Sequence, residues 1–253
     1  PYRSRFAQAP YSGEIAFVDA QIGRLLAWLD ERDLTTRTLI VVVGDHGESL
    51  NEHGENTHGF YIYDATMRVP LVLVGPGATT GVSNTPVSTR RVFHTIRDWA
   101  GLGAEHSLLG PQVDVVFGEA MKPFLSYGWQ PQVMAVEGRH KVISSGRNEV
   151  YDVTTDPAEA HDLSSDATLS RPLRTALTDY PVPSPGAAAP PSGLNEEDRR
   201  KLASLGYVSA GALPMIRKDA PRPVDMAPLF ETMEKASGHF VAGDYARAIP
   251  LLE

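Results

Sequence analysis

The stretch that most constrains this chain is Thr38–Val43, an almost unbroken apolar and β-branched run, followed at once by Gly44-Asp45-His46-Gly47-Glu48. Such a run reads as a β-strand buried on both faces, as in a parallel α/β sheet. Open α/β sheets bind their ligands beyond the carboxyl ends of the strands. The strand therefore delivers an acid and an imidazole to the place where a sheet puts its chemistry. His46, His53 and His58 fall within thirteen residues of one another, out of eight histidines in the chain. Asp45 and His46 offer two ligands to a divalent cation, but calcium takes about six to eight oxygens, so further ligands must come from elsewhere. Gly47 lets backbone pack closely at this point. The competing reading makes Asp45 a turn cap and the histidines surface loop residues.

Around this stretch the pattern alternates helix and strand. Residues 1–10 read as an extended loop. From Tyr11 to about Arg32, Ile15, Val18, Ile22, Leu25, Leu26 and Leu29 recur at three- and four-residue spacing, with Ser12 as a candidate cap. Helix followed by buried strand is half of a right-handed crossover. Residues 60–67 read as a short helix or turn, and Arg68–Val74 as a second strand closed by Gly75-Pro76-Gly77. A helix with Val92, Phe93, Ile96, Trp99 and Ala100 on one face follows, and then a loop over 101–118. Residues 131–136 and 140–143 pair around the turn signal Glu137-Gly138-Arg139, and Val150–Val153 adds another strand. Residues 181–193 are rich in Pro and Ala and read as a linker.

Composition narrows the partners. The chain has 253 residues and a formal net charge of −8, which argues against nucleic acid. There is no run of about eighteen apolar residues, so no transmembrane segment is expected. Without cysteine there are no disulfides, and the redox compartment is unreadable.

The motif residues carry a family resemblance. Gly44-Asp45-His46-Gly47-Glu48, Asn51-Glu52-His53-Gly54, His58-Gly59 and Arg68-Val69-Pro70-Leu71 match, in order and spacing, the second metal-binding segment of sulfatases in the alkaline-phosphatase-like superfamily. Glu149-Val150-Tyr151-Asp152-Val153, Asp156-Pro157, Glu159 and Asp162-Leu163 resemble the family's last strand, and Leu202–Val208 its closing helix. The resemblance implies an α/β fold, part of a doubly wound sheet, with a small antiparallel C-terminal subdomain. It places the catalytic α/β part at 1–118, the subdomain at 119–170 and a Pro-rich linker with a short helix at 171–225. Ala236, Phe240, Gly243, Asp244, Tyr245 and Ala248 sit at the offsets of a tetratricopeptide repeat, a helix–turn–helix unit, so 226–253 is expected to begin a helical tail.

The resemblance also implies a chemistry. Asp45 and His46 become metal ligands, with calcium the expected ion. His58 becomes the catalytic and substrate-binding residue, where many sulfatases carry a lysine that touches the sulfate ester. That departure leaves sulfate and phosphate esters both open. Sulfatases make a formylglycine nucleophile from Cys or Ser in Cys/Ser-x-Pro/Ala-x-Arg. Neither form is read in this chain, so that residue is expected upstream of Pro1, the chain being read as a fragment. The implied function is sulfate-ester hydrolysis in a periplasmic or extracellular setting, with a protein partner on the tetratricopeptide tail. The alternatives are a phosphotransferase or phosphodiesterase of the same superfamily, and a non-catalytic interaction protein. His53 and Asp19 are expected to be structural, Arg68 a surface or ion-pair residue, and Lys141 a solvated hairpin lysine.

Overall fold

The apolar run after Thr38 forms strand β1 (Ile40–Val43) in a computed structural model that describes residues 2–110, 115–180 and 216–252. The linker at 181–193 and the segment Leu202–Val208 lie outside the described residues. The chain divides into two compact units, one of residues 1–43, 70–83 and 89–112, the other of 44–69, 84–88 and 113–253.

In the first unit, Tyr2–Arg5 is a short helix, α1, rather than extended chain. Helix α2 (Pro10–Asp30) starts at a proline, whose fixed φ suits a first turn. Its N-cap is Ala9, so Ser12 is not the cap. Asp33, at φ 52°, ends it, and Leu34 N–H bonds back to the Leu29 carbonyl at 3.0 Å. Strand β2 (Leu71–Val74) pairs with β1 in antiparallel register, from Ile40 opposite Val74 to Val43 opposite Leu71. The expected parallel strand, buried on both faces, is thus corrected. No crossover helix joins these two strands, and alternate residues of β2, Val72 and Val74, are exposed. Gly75 turns the chain away at φ 139°, where its Cα lies too close to the Thr38 carbonyl for a side chain. Helix α4 (Arg91–Trp99) also presents a different face from the expected one. Arg91 and Thr95 are buried, while Phe93, Ile96 and Trp99 are exposed. The Thr95 hydroxyl explains the orientation: it donates to the Arg91 carbonyl at 2.7 Å and accepts the Leu108 N–H at 2.9 Å.

The second unit is built on an antiparallel sheet of β3 (Val116–Ala120), β4 (Gln132–Glu137), β5 (His140–Ser145) and β6 (Arg147–Asp152), in that order. The β4–β5 hairpin turns at Gly138, φ 58°, as its sequence predicts. Strand β3 occupies part of the expected loop, because Gly118 interrupts the apolar alternation. On one face Met134, Val136, Ile143 and Tyr151 pack with Phe60, Tyr61, Ile62 and Tyr63. On the opposite face Ala135, Val142 and Val150 pack with Leu173 and Ala176 of α6 (Arg171–Asp179), a helix where a linker was expected. Segment 44–69 contributes the short helix α3 (Asp64–Met67), and α5 (Lys122–Tyr127) follows β3.

Residues 216–226 lie on this unit rather than trailing away. The Gln130 side chain donates to the Arg217 carbonyl at 2.7 Å, and Arg222 Nε to the Ser145 carbonyl at 2.9 Å. The Arg222 guanidinium pairs with buried Glu149, which also accepts the Tyr63 and Tyr151 hydroxyls at 3.1 and 3.0 Å. Helix α7 (Ala227–Val241) inserts Phe230 against Phe60, ring centroids 4.2 Å apart. A turn at Gly243, φ 75°, leads into α8 (Tyr245–Ala248), capped by Asp244, with Ala236 and Ala248 buried. No helix among the described residues is long and apolar enough to cross a membrane.

Candidate metal and ester site

The site is built by a loop that folds back on itself. Gly47 N–H donates to the Thr66 carbonyl of α3 at 2.8 Å. A Cβ on Gly47 would overlap the Ala65 carbonyl oxygen, so only glycine lets the backbone rest here. His46 and Glu48 therefore project from a pinned backbone. Ser49 N–H reaches the Thr57 carbonyl at 2.9 Å and Asn51 N–H the Glu55 carbonyl at 2.8 Å. This fold-back returns the chain so that His58 meets both.

The imidazoles of His46 and His58 stack with centroids 3.9 Å apart, inclined by 29°. His58 Nδ1–H donates to Glu48 Oε2 at 2.9 Å, and His46 Nδ1–H to the Gly47 carbonyl at 2.8 Å. Both acceptors fix the tautomer: with Nδ1 carrying the proton, Nε2 of each neutral ring keeps its lone pair. One ligand atom from each of His46, Glu48 and His58 lies within 4.8 Å of the others. Asp45 stands beside this group. Its Oδ1 accepts the His46 N–H at 3.0 Å and its Oδ2 lies 3.7 Å from His46 Nε2. That backbone hydrogen bond, aided by the His46 ring, holds the exposed Asp45 carboxyl below its ordinary range.

Of the sequence-predicted residues, Asp45, His46 and His58 are brought to one place, with His58 on the His46 ring. Glu48 was not singled out. The signal for it is spacing: in extended chain, residues two apart point to the same side, and His46 and Glu48 are two apart. His53 turns elsewhere, stacking on Tyr63 at 3.6 Å with Nε2 3.0 Å from the Ala158 carbonyl, and burial pushes its pKa down. Asp19 and Arg68 are exposed. Lys141 departs from the expected solvated lysine. It is fully buried, with Nζ 2.8 Å from Asp64 and 2.7 Å from Glu159.

The donor set can be tested against a metal. Two imidazole nitrogens and a carboxylate, with a second carboxylate adjacent, suit a divalent ion that accepts mixed nitrogen and oxygen ligands, such as zinc or manganese. Calcium asks for about six to eight oxygens. Asp45 and Glu48 are the carboxylates that could supply them in this group.

The family model described as Sulfatase matches residues 7–102, which include all four of these residues. The chain is 29% identical over 173 residues to the choline-sulfatase of Rhizobium meliloti (strain 1021), an alignment covering 63% of this chain and 33% of that protein. It is 33% identical over 120 residues to human arylsulfatase K, covering 46% of this chain and 22% of that one. Among solved structures, the phosphonate monoester hydrolase of Agrobacterium radiobacter aligns with TM-score 0.52 and 26% identity, over 63% of this chain and 37% of that one. The chain thus spans 33% and 22% of the length of these two curated sulfatases.

One feature of the sulfatase pattern needs correction. Ser170-Arg171-Pro172-Leu173-Arg174 satisfies the Ser-x-Pro-x-Arg spacing, although the formylglycine precursor was expected only upstream. In the structure the Ser170 hydroxyl caps α6, accepting the Leu173 N–H at 3.2 Å and donating to Glu137. It begins the helix that packs on the sheet face opposite to residues 60–63. Ser170 serves as a helix cap in this structure.

Proposed function

We propose that this chain carries the metal- and ester-holding part of a sulfuric ester hydrolase. The observation that carries the reading is the convergence of His46, Glu48 and His58, with Asp45 alongside, inside the sulfatase segment. Asp45 and His46 hold the metal, with Glu48 as a further oxygen donor. When bound, the metal polarises the ester oxygens and lowers the pKa of the nucleophile. When protonated, His58 donates its Nε2–H to the ester oxygens, the leaving oxygen included, while Nδ1–H stays on Glu48. Such help is typically worth about 10²–10⁴-fold. Glu48 fixes the ring and tautomer of His58. The donor set favours manganese or zinc over calcium. These 253 residues contain no cysteine, and the serine of their Ser-x-Pro-x-Arg run, Ser170, is held as a helix cap, so the formylglycine of the family mechanism is not assigned to a residue of this chain.

A second reading, hydrolysis of phosphate or phosphonate esters, draws on His58 at a position where many sulfatases have lysine, and on the phosphonate hydrolase likeness. The helix–turn–helix of α7 and α8 is read as the start of a tetratricopeptide array that recruits a protein partner, in a periplasmic or extracellular protein. The test is turnover of an aryl sulfate and an aryl phosphonate monoester by these 253 residues and by a form extended toward the N-terminus. The expectation is aryl sulfate turnover in the extended form alone, abolished by Asp45→Ala. Full activity in Asp45→Ala overturns the site, and a preference for the phosphonate selects the second reading.

A further inference from the structure

Glu55 is a buried carboxyl for which the ester chemistry has no use. It is 1% exposed, three residues before His58. Its Oε1 accepts the Phe60 N–H at 2.8 Å and its Oε2 the Tyr61 N–H at 3.3 Å. Its carbonyl accepts the Asn51 N–H at 2.8 Å. The carboxylate therefore bridges the base of a turn that starts at Glu55, carries His58, reverses at Gly59 (φ 93°) and ends at Phe60 and Tyr61. The far end of that turn is anchored in turn. Phe60 packs on Phe230, lies under the Lys122 ammonium at 4.7 Å, and gives its carbonyl to the Gln132 side chain. The near end is tied through Asn51 and through Ser49 to Thr57. His58 thus stands on a short span fastened at both ends, and the Glu55 carboxylate is the direct link between them.

The chemistry of that link is specific. Two converging N–H donors need two acceptors, which a carboxylate offers and an amide does not. Burial pushes the Glu55 carboxyl up to about 7, against the pull of the two backbone donors and Lys122 and with the push of Glu48. An apolar side chain would avoid that desolvation but leave two N–H groups unpaired.

We propose that Glu55 is a positioning residue for His58, its carboxylate closing the 55–61 turn so that the imidazole is held against Glu48 and His46. The inference rests on reading His46, Glu48 and His58 as the functional group of residues.

The test uses the whole chain and two readouts. The first needs no metal: the imidazole proton resonance of His58 Nδ1–H, shifted downfield by its hydrogen bond to Glu48. The second is titration with Co(II), followed by its visible absorption. Glu55→Gln keeps the shape but sets an NH2 group against the Tyr61 N–H. In a folded Glu55→Gln protein, the His58 proton signal is expected to broaden or vanish while that of His53 persists. Co(II) affinity is expected to fall about tenfold, the scale of losing an outer partner of a ligand. Glu55→Asp, which keeps the charge but shortens the reach, is the second variant should Glu55→Gln fail to fold, and it should weaken the same signal. An unchanged His58 signal in either folded variant overturns the proposal. Failure of the wild-type chain to bind Co(II) would remove the metal reading, while the His58 signal would still decide the role of Glu55.

Discussion

Replacing Lys141 by Met removes the only cation within ion-pair distance of buried Glu159 among the described residues. The methionine fills most of the volume, so packing changes little. What remains is Glu159, 1% exposed in its side chain, and Asp64, 17% exposed, facing each other with no ammonium between them. Breaking a buried pair by removing one partner costs about 3–5 kcal/mol. Burial already raises the Glu159 carboxyl above its ordinary range, and Lys141 is the largest influence pulling it back down. Without Lys141 it rises further. A carboxyl with a raised folded pKa carries no penalty below its unfolded value and an increasing penalty as pH climbs from there to the folded pKa. The deficit of Lys141→Met should therefore shrink on acidification, by up to about 1.4 kcal/mol per pH unit over which Glu159 titrates. Urea unfolding at pH 7 and pH 5 measures this, followed by Trp129 fluorescence in a background with Trp28 and Trp99 replaced by Phe. A deficit under about 1 kcal/mol at pH 7, the scale of an exposed pair, would refute the buried-triad reasoning. So would a deficit equal at the two pH values.

Other outcomes follow from the same structure. Gly47→Ala should destabilise the second unit by about 1–3 kcal/mol, since backbone rather than a flexible side chain blocks the new methyl; a wild-type urea midpoint would contradict this. Phe230→Ala should cost about 3–5 kcal/mol and release α7 from Phe60, read as faster amide exchange in 227–241; unchanged exchange would show that α7 is held by other contacts. Glu55, raised from 4.5 to about 7 by burial and faced by Lys122 and Glu48, costs nothing below pH 4.5 and progressively more up to pH 7. The full penalty is about 3 kcal/mol, so Glu55→Gln should flatten the fall in stability over that range, and an unaltered pH profile would count against the burial argument.

The sequence made local features legible and left non-local ones dark. The helix over 10–30, the strand at 40–43 and the turn at Gly138 are set by periodicity and turn chemistry within a few residues, and each formed. The antiparallel pairing of β1 with β2 depends on the path of 44–69, which no period encodes. Strand β3 was hidden by Gly118, and α6 by the breaker signal of Pro172, which in fact starts the helix. At the site, Asp45, His46 and His58 were found through motif spacing. Glu48 lay within the same motif but needs the fold-back at Ser49–Thr57 before it meets His58. Lys141 and Glu55 reveal their partners only in three dimensions, because one pairs with residues 77 and 18 positions away and the other binds backbone N–H groups that sequence does not mark.

The central claim is that His46 and Asp45, with Glu48 as a further oxygen donor, hold one divalent metal beside His58. Anomalous diffraction from crystals of this chain grown with Zn(II), collected on either side of the zinc edge, tests it directly. The account predicts an anomalous peak about 2.0–2.2 Å from Nε2 of His46 and from a carboxylate oxygen of Asp45 or Glu48. That peak should disappear in His46→Ala crystals. Zinc density at other sites with none between these residues, or a peak that survives His46→Ala, would contradict it.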